Sequence, residues 1–309
     1  MNGVTQHKLS CENLLRIDDL SDDDLAAILA RARWFAECLT AKKPVPPSLA
    51  GRTQINLFFE DSTRTNLSFD LAGKKLGADV INVPVAASSV NKDEDILDTV
   101  QTLDAMGADV MILRTRDPRA HERLSQRTRC PVINAGNGTI EHPTQALLDA
   151  ATLTRTFGTL NGLTIAICGD VRHSRVAGSG VQLFQRLGAT VRFVAPDDLL
   201  PDRELFADTE RFSTLETGLD GADVVMALRL QRERMENPPP IEAYISEFRL
   251  DHDRLDLAKD GAKVMHPGPM NRGIEITASL ADDKARSLVL DQVFMGVATR
   301  MAVLDQLIV

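Results

Sequence analysis

"TQINLFFEDSTRTNLSFD", residues 53–70, changes character twice. Its first part is an apolar run closed by Phe58 and Phe59, as at the end of a buried strand. Its last part, from Asn66 on to Leu71 just beyond it, has the composition of a helix start. The junction holds Ser62, Thr63, Arg64 and Thr65. A helix N-terminus presents unpaired backbone N–H groups and a partial positive charge, so anions bind there. The hydroxyls add donors, and the arginine adds a charged fork matched to phosphate. A plain N-cap would account for Ser or Thr. It does not account for Arg64, because a cation at a helix N-terminus opposes the dipole unless an anion is present.

The same strand-to-helix unit recurs. "TQINLFF" leads through a helical stretch to Gly77 and then "ADVINV"; "DILDTVQTLDAMG" stops at Gly107 before "ADVMIL"; "LTIAICG" leads to "VQLFQRLG", Gly188 and "ATVRFV". "DGADVVMAL" (220–228) is a further run of this kind. Continuous Val/Ile/Leu runs predict strands buried on both faces, and Gly after a helical stretch suits a left-handed stop. Strand–helix–strand repetition reads as α/β with parallel sheets. Two blocks result, roughly 50–135 and 160–270, with a helix over "TQALLDAATLTRTF" ending at Gly158. The final "DQVFMGVATRMAVLDQLIV" predicts an amphipathic helix with Val293, Val297, Met301 and Leu304 along one stripe. Three segments read as loops: 42–51, 84–95 and 232–244.

A length of 309 residues suffices for two domains. The net charge of −9 argues against a broad nucleic-acid footprint. The first residues lack the apolar core of a signal peptide, and no apolar run is long enough to span a bilayer. Cys11, Cys38, Cys130 and Cys168 show no CxxC spacing, which disfavours a zinc site or a disulfide framework and suits reduced thiols in a cytoplasmic protein.

Against that acidic background, arginines gather after the apolar runs. "ILRTRDP" puts Arg114 there, "GDVRHSRVAGSG" puts Arg172, His173 and Arg175, and "ALRLQRER" puts Arg229 beside Gln231. "HPTQALLD" sets His142 and Gln145 at a helix start after the turn-like "NAGNGT", and "MHPGPMNRG" could hold backbone carbonyls rigidly. Ligands of α/β sheets sit beyond the carboxyl ends of the strands. Several cationic strand ends in one acidic chain therefore point to a polyanionic ligand.

"STRT", "HPTQ", "GD…R", "RLQRER" and "HPGPMNRG", in this order and over essentially the whole chain, resemble the aspartate/ornithine carbamoyltransferase family. Pro267-Gly268-Pro269 after His266, where ornithine-specific members carry Cys-Leu-Pro, and Arg229-Leu230-Gln231 both resemble the aspartate-specific branch. One departure is Asp93, where members often show Gly; it bears on loop flexibility rather than chemistry. The resemblance implies two domains, each a parallel sheet flanked by helices. Residues 1–147 plus 290–309 would bind carbamoyl phosphate, with the C-terminal helix returning to that first domain. Residues 148–289 would bind aspartate. It implies carbamoyl transfer from carbamoyl phosphate to L-aspartate, an early step of pyrimidine synthesis, with no metal or cofactor.

The residue roles come from the same resemblance. Ser62, Thr63, Arg64, Thr65 and Arg114 would hold the phosphate, with Thr65, Arg114 and His142 at the carbonyl oxygen. Gln145 and the backbone about Pro267, Gly268 and Pro269 would hold the carbamoyl NH2. Arg175, Arg229 and Gln231 would bind the aspartate carboxylates. Ser88, or its neighbour Ser89, and Lys92 would enter from an adjacent subunit of a homotrimer. The resemblance is compatible with regulatory or dihydroorotase partner chains, which the sequence does not specify.

Three other readings compete. A carbamoyltransferase for a basic amine such as ornithine would want a carboxylate near 229–231, and Glu233 is close in sequence. A dinucleotide-binding protein is disfavoured because Gly178 and Gly180 lack a third glycine at the required spacing. A non-catalytic homologue would have lost the expected arginine, histidine or lysine, and none is lost.

Overall fold

The computed structural model describes residues 7–83 and 95–308, and their contacts divide into two compact units: residues 1–155 with 293–309, and 156–292. The first unit runs α1 (Asp22–Thr40), β1 (Thr53–Phe58), α2 (Thr63–Lys75), β2 (Asp79–Val83), α3 (Ile96–Ala105), β3 (Val110–Thr115), α4 (Ala120–Ser125), β4 (Val132–Asn137) and α5 (Pro143–Phe157). Its strands form one parallel sheet in the order β2-β1-β3-β4. The second unit runs β5 (Thr164–Gly169), α6 (Arg175–Arg186), β6 (Thr190–Val194), β7 (Glu210–Phe212), α7 (Leu215–Leu219), β8 (Val224–Leu228), α8 (Ile241–Phe248), α9 (His252–Leu255), β9 (Lys263–Met265) and α10 (Ala278–Ala281). Its sheet is also parallel, in the order β7-β6-β5-β8-β9. The last helix, α11 (Val289–Leu307), leaves the second unit at Gln292 and packs within the first.

Strand periodicity explains the layers of the first sheet. Successive side chains of β1 face opposite sides. Ile55 and Leu57 join an apolar cluster with Val100 of α3, Met111 and Leu113 of β3, and Leu124 of α4. Gln54 and Asn56, equally buried, serve the side covered by α2. There Gln54 donates Nε2 to Asn56 Oδ1 at 2.8 Å and to the Phe69 carbonyl at 3.1 Å. Asn56 donates to Asn82 Oδ1 on β2, and Asn82 donates to Asp70 Oδ1 on α2, each at 2.8 Å. Lys74 closes the chain on Asp70 at 2.9 Å. This network fixes α2 over the sheet, which matters because α2 begins with Thr63-Arg64-Thr65.

The return of α11 is secured by a buried ion pair, Arg31 Nε to Asp305 Oδ2 at 2.8 Å, and by Leu9 N donating to the Gln306 carbonyl at 3.0 Å. Helices α2 and α6 end just before Gly77 (φ 84°) and Gly188 (φ 87°), the left-handed stops expected from the sequence. The cysteines are free thiols, and burial pushes Cys130 up to about 12.

Several expectations need correction. The stripe on the last helix fails at Val293, which is exposed, because α11 is enclosed on all sides from Ala298 to Leu307 and its buried side near Val293 runs through Met295. β2 is not buried on both faces: it is the edge of its sheet, and Ile81 is half exposed. "NAGN" is not a turn but the end of β4, and the turn comes after it. Part of the supposed 232–244 loop is α8, whose Tyr244 packs inward. The expected division at 147/148 and the change of unit at Arg155/Thr156 both fall inside α5.

Gly73 gives a test of the α2 seat. A Cβ there would lie 2.2 Å from Gln54 Oε1 and 2.7 Å from Val80 Cγ2. Gln54 cannot swing away without losing its bonds to Asn56 and Phe69. At an open helix position Gly→Ala would gain about 1 kcal/mol. Here overpacking of about 1–3 kcal/mol outweighs that gain. Gly73→Ala should therefore lower the urea midpoint; a raised midpoint would show that α2 is not seated this closely.

Candidate active site

In an open parallel sheet, ligands gather where the strand order reverses direction. In the first unit that point lies between β1 and β3, since the chain passes from β1 outward to β2 and then back to β3 on the other side. The segment 62–65 follows β1, and Arg114 sits near the end of β3, paired with Phe58 across the ladder. The Phe59 amide donates to the Arg114 carbonyl at 2.8 Å, so the two strand ends are held together. Ser62 occupies the cap position of α2 but makes no side-chain capping bond, and no acid lies in the helix's first turn. Thr65 is buried, and Arg64 is solvent-accessible. Desolvation pulls the Arg64 guanidinium below its ordinary value, yet arginine remains a cation at neutral pH.

Arg114 is better enclosed. Its Nη1 donates to the Ala135 carbonyl on β4 at 3.1 Å, and its Nε lies 3.3 Å from Glu60 Oε2. Arg116 reaches the other oxygen of Glu60 at 3.8 Å. Glu60 stood in the quoted stretch without an assigned role; its position directly before "DSTRT" was the available signal. β4 ends at Asn137, whose side chain accepts from the Glu141 amide at 2.8 Å and so shapes the turn into α5. His142 is buried, and its carbonyl accepts the Gln145 amide at 2.9 Å. Pro143 is the first residue of α5, where its fixed φ suits a helix and its missing N–H is not needed. The sequence-predicted residues 62–65, 114, 142 and 145 thus stand at the ends of β1, β3 and β4, three neighbours in one sheet.

The second sheet repeats the logic between β5 and β8, where Gly169 and Leu228 are paired. The organiser is Asp170, fully buried just after β5. Its Oδ1 accepts the His173 amide at 3.2 Å and lies 2.8 Å from His173 Nδ1, while its Oδ2 accepts the Gln231 amide at 3.0 Å. Gln231 returns a bond from Nε2 to the His173 carbonyl at 2.8 Å, and Arg234 donates to the same carbonyl at 3.0 Å. Arg175, buried, begins α6, and the Ser174 side chain caps that helix. Arg229 is paired with Glu233. Burial alone would raise Glu233, but the hydrogen bonds and positive charges around it, the bond from Arg229 foremost, together reverse this and hold the carboxyl below its usual range. Arg172 is directed elsewhere, to the Leu200 carbonyl at 2.8 Å.

β9 lies beside β8 and leads into His266. The buried His266 ring accepts the Gly268 amide on Nδ1 at 2.9 Å, which leaves Nε2 to donate to Glu275 Oε1 at 3.2 Å. Gly268 has φ 67°, a left-handed value that suits glycine. The turn carrying Pro267, Gly268 and Pro269 is therefore pinned from beneath. Ser88, Ser89 and Lys92 lie outside the described residues. Asp170, Glu60 and Glu275 were missed as site-shaping groups because a single sequence does not separate a buried organising carboxylate from a surface one.

Comparison with known proteins agrees with this geometry. The carbamoyl-P binding domain of the aspartate/ornithine carbamoyltransferase family matches residues 12–155, and its Asp/Orn binding domain matches residues 161–307. The aspartate carbamoyltransferase catalytic subunit of Granulibacter bethesdensis is 53% identical over 96% of this chain and 94% of its own length. That of Methylorubrum populi is 52% identical over 99% of this chain and 98% of its own. Among solved structures, aspartate transcarbamoylase from Trypanosoma cruzi in complex with N-(phosphonacetyl)-L-aspartic acid superposes with a TM-score of 0.88 at 32% identity, covering 96% of both chains. The catalytic subunit of M. jannaschii aspartate transcarbamoylase gives a TM-score of 0.86 at 31% identity, covering 96% of this chain and 98% of the other.

The role of Asp170 can be checked without any substrate. Asp170→Ala removes the acceptor of the His173 and Gln231 amides, a loss of about 1–3 kcal/mol. Hydrogen exchange at those two amides should speed by on the order of tenfold or more, while the β5 and β6 ladder amides keep their protection. Unchanged exchange at His173 and Gln231 would remove Asp170 as the organiser of the two loops.

Proposed function

We infer the reaction from one premise: this chain belongs to the aspartate/ornithine carbamoyltransferase family. It transfers the carbamoyl group of carbamoyl phosphate to the amino group of L-aspartate, giving N-carbamoyl-L-aspartate and phosphate. The observation that carries the reading is the pair of cationic strand ends, one at each sheet's reversal point, in a chain matching both family domains. An ornithine-type substrate would need a carboxylate for the ammonium group that is not carbamoylated. Glu233, close to 229–231, faces Arg229, and that arginine suits a substrate carboxylate rather than an ammonium.

The residue roles follow from charge and hydrogen-bond capacity. Carbamoyl phosphate is assigned to the first unit's strand ends: its phosphate to Ser62, Thr63, Arg64, Thr65 and Arg114, supported by the uncapped α2 terminus. Its carbonyl oxygen is assigned to Thr65, Arg114 and His142. The carbamoyl NH2 is assigned to Gln145 and to backbone about Pro267, Gly268 and Pro269. Aspartate's carboxylates are assigned to Arg175, Arg229 and Gln231. The amine nitrogen attacks the carbonyl carbon, negative charge gathers on the carbonyl oxygen, and the carbon–oxygen bond to phosphate then breaks. Cations fixed in advance stabilise that charge without reorganising during the step. The departing phosphate takes the bond's electron pair and accepts the amine proton, so no side-chain base is required.

The reading extends to a homotrimer in which Lys92 and Ser88 or Ser89 complete a neighbouring subunit's site, and to a cytoplasmic enzyme of pyrimidine synthesis. Buried free thiols suit a reducing compartment. Leu67 and Leu71 on α2 and Ile81 on β2 are exposed apolar side chains of the first unit, which suits coverage by another subunit.

Two measurements test this reading. Arg64→Ala should cut kcat on the order of 10²–10³-fold with a smaller change in KM, the usual effect of losing a transition-state electrostatic contact. A kcat within a few-fold of the parent would place Arg64 away from the leaving group. For the trimer, inactive Lys92→Ala and inactive His142→Ala chains are unfolded, mixed equally and refolded. In a closed three-fold ring each mixed trimer regains one native pairing of His142 with a neighbour's Lys92, so about a quarter of parental activity returns. A mixture no more active than its two components, while the parent refolds well, would confine Lys92 to its own chain's site.

A further inference from the structure

Beneath Gln145 lies a carboxylate to which none of the roles above is assigned. Asp149 stands one turn farther along α5 and is fully buried. Its Oδ1 accepts Nε2 of Gln145 at 3.0 Å. Arg300 of α11 is also buried and donates Nη2 to Thr144 Oγ1 at 3.4 Å and Nη1 to the Gly296 carbonyl at 3.3 Å. Its guanidinium lies over the Phe69 ring, 5.0 Å from the centroid. Burial pulls Arg300 down to about 9, with the charge of Asp149 holding it up and that of Arg114 lowering it further; it remains a cation at neutral pH. A Cβ on Gly296 would lie 2.9 Å from Arg300 Nη1, so α11 carries glycine where the guanidinium packs.

A primary amide has a donor end and an acceptor end that differ little in shape, whereas a carboxylate only accepts. Asp149 therefore admits only the NH2 end of Gln145 and leaves Oε1 as the end available to a ligand. A carbamoyl group offers N–H donors, and an acetyl group of nearly the same shape offers a methyl. We propose that Asp149 is a specificity-determining positioning residue: it fixes Gln145 with Oε1 toward the ligand and so selects carbamoyl phosphate over acyl phosphates that carry a methyl at that place. The proposal rests on the assignment of Gln145 to the carbamoyl NH2 made above. A purely structural Asp149 would behave differently, since its loss would loosen α5 against α11 and weaken both ligands alike.

The experiment compares dissociation constants of carbamoyl phosphate and acetyl phosphate, by titration calorimetry on the full-length protein. Asp149→Asn can present either amide end to Gln145. It should reduce the preference for carbamoyl phosphate by on the order of tenfold, the scale of one hydrogen bond, with acetyl phosphate affinity within about twofold of the parent. Gln145→Ala should reduce the preference by a similar factor, and Asp149→Asn should add nothing in that background, because residues acting through one contact are not additive. If Asp149→Asn does not fold, Asp149→Leu/Arg300→Met removes both charges together and carries the same expectation. The proposal is overturned if the folded variant keeps the parental preference, or loses affinity for both phosphates equally. If Gln145→Ala itself leaves the preference unchanged, the fault lies in the assignment of Gln145, and Asp149 falls with it.

Discussion

Parallel pairing obliges every strand of a sheet to finish at the same edge, and this constraint decides where chemistry can be placed in the chain. Each crossover helix carries the chain back, so the loops after β1, β3 and β4 emerge side by side, as do those after β5, β8 and β9. Where the order reverses, neighbouring loops turn to opposite sides and leave room for a ligand. The segment 62–65 and Arg114 stand at one such point, and Asp170 and Arg229 at the other. The strands can be this buried because the groups that need water or a ligand are confined to the ends.

Confining cations to strand ends raises a problem of orientation, and carboxylates of the same unit answer it. The two pairs differ in consequence. Arg114 and Glu60 are nearly enclosed, with side chains 12% and 9% exposed. Removing one member would strand a desolvated charge at a cost of about 3–5 kcal/mol. On the proposed assignment that pair is kept when the phosphate binds, and Glu60 shares Arg114 with it. Arg229 and Glu233 are 26% and 56% exposed, and a pair of that kind is worth about 0–1 kcal/mol. The dicarboxylate proposed for Arg229 would displace Glu233 at little cost. On that assignment the first pair would be a fixed part of the site, and the second a placeholder.

The strand-to-helix rhythm, the glycine stops and the cationic strand ends were all legible in the sequence, because they follow from local periodicity and residue type. The family motifs named the residues at both reversal points. What the sequence did not carry was partnership. Val293 looked like part of an apolar stripe until α11 proved to be enclosed on all sides beyond it. Nothing in "DQVFMGVATRM" marks Arg300 as a buried cation beneath Thr144, because its neighbours there come from 156 positions away. Asp170, Glu60 and Asp149 read as ordinary acids until the fold withdrew them from water.

Those withdrawn polar groups share one physical consequence. Apolar helix faces slide and repack at small cost, since many arrangements bury similar area. A buried hydrogen bond or ion pair does not tolerate such slippage, because a half-satisfied network costs more than none. The helix α2 is held by Gln54, Asn56, Asn82 and Asp70, and α5 and α11 meet at Thr144 and Arg300. α2 and α5 carry at their N-termini residues proposed to hold the ligand, Thr63–Thr65 in one and Gln145 in the other. A displacement of 1 Å there, which apolar packing alone would tolerate, is serious for a reaction that depends on orientation. The buried polar layer of the first unit thus adds positional definition to a core whose apolar part already supplies the adhesion.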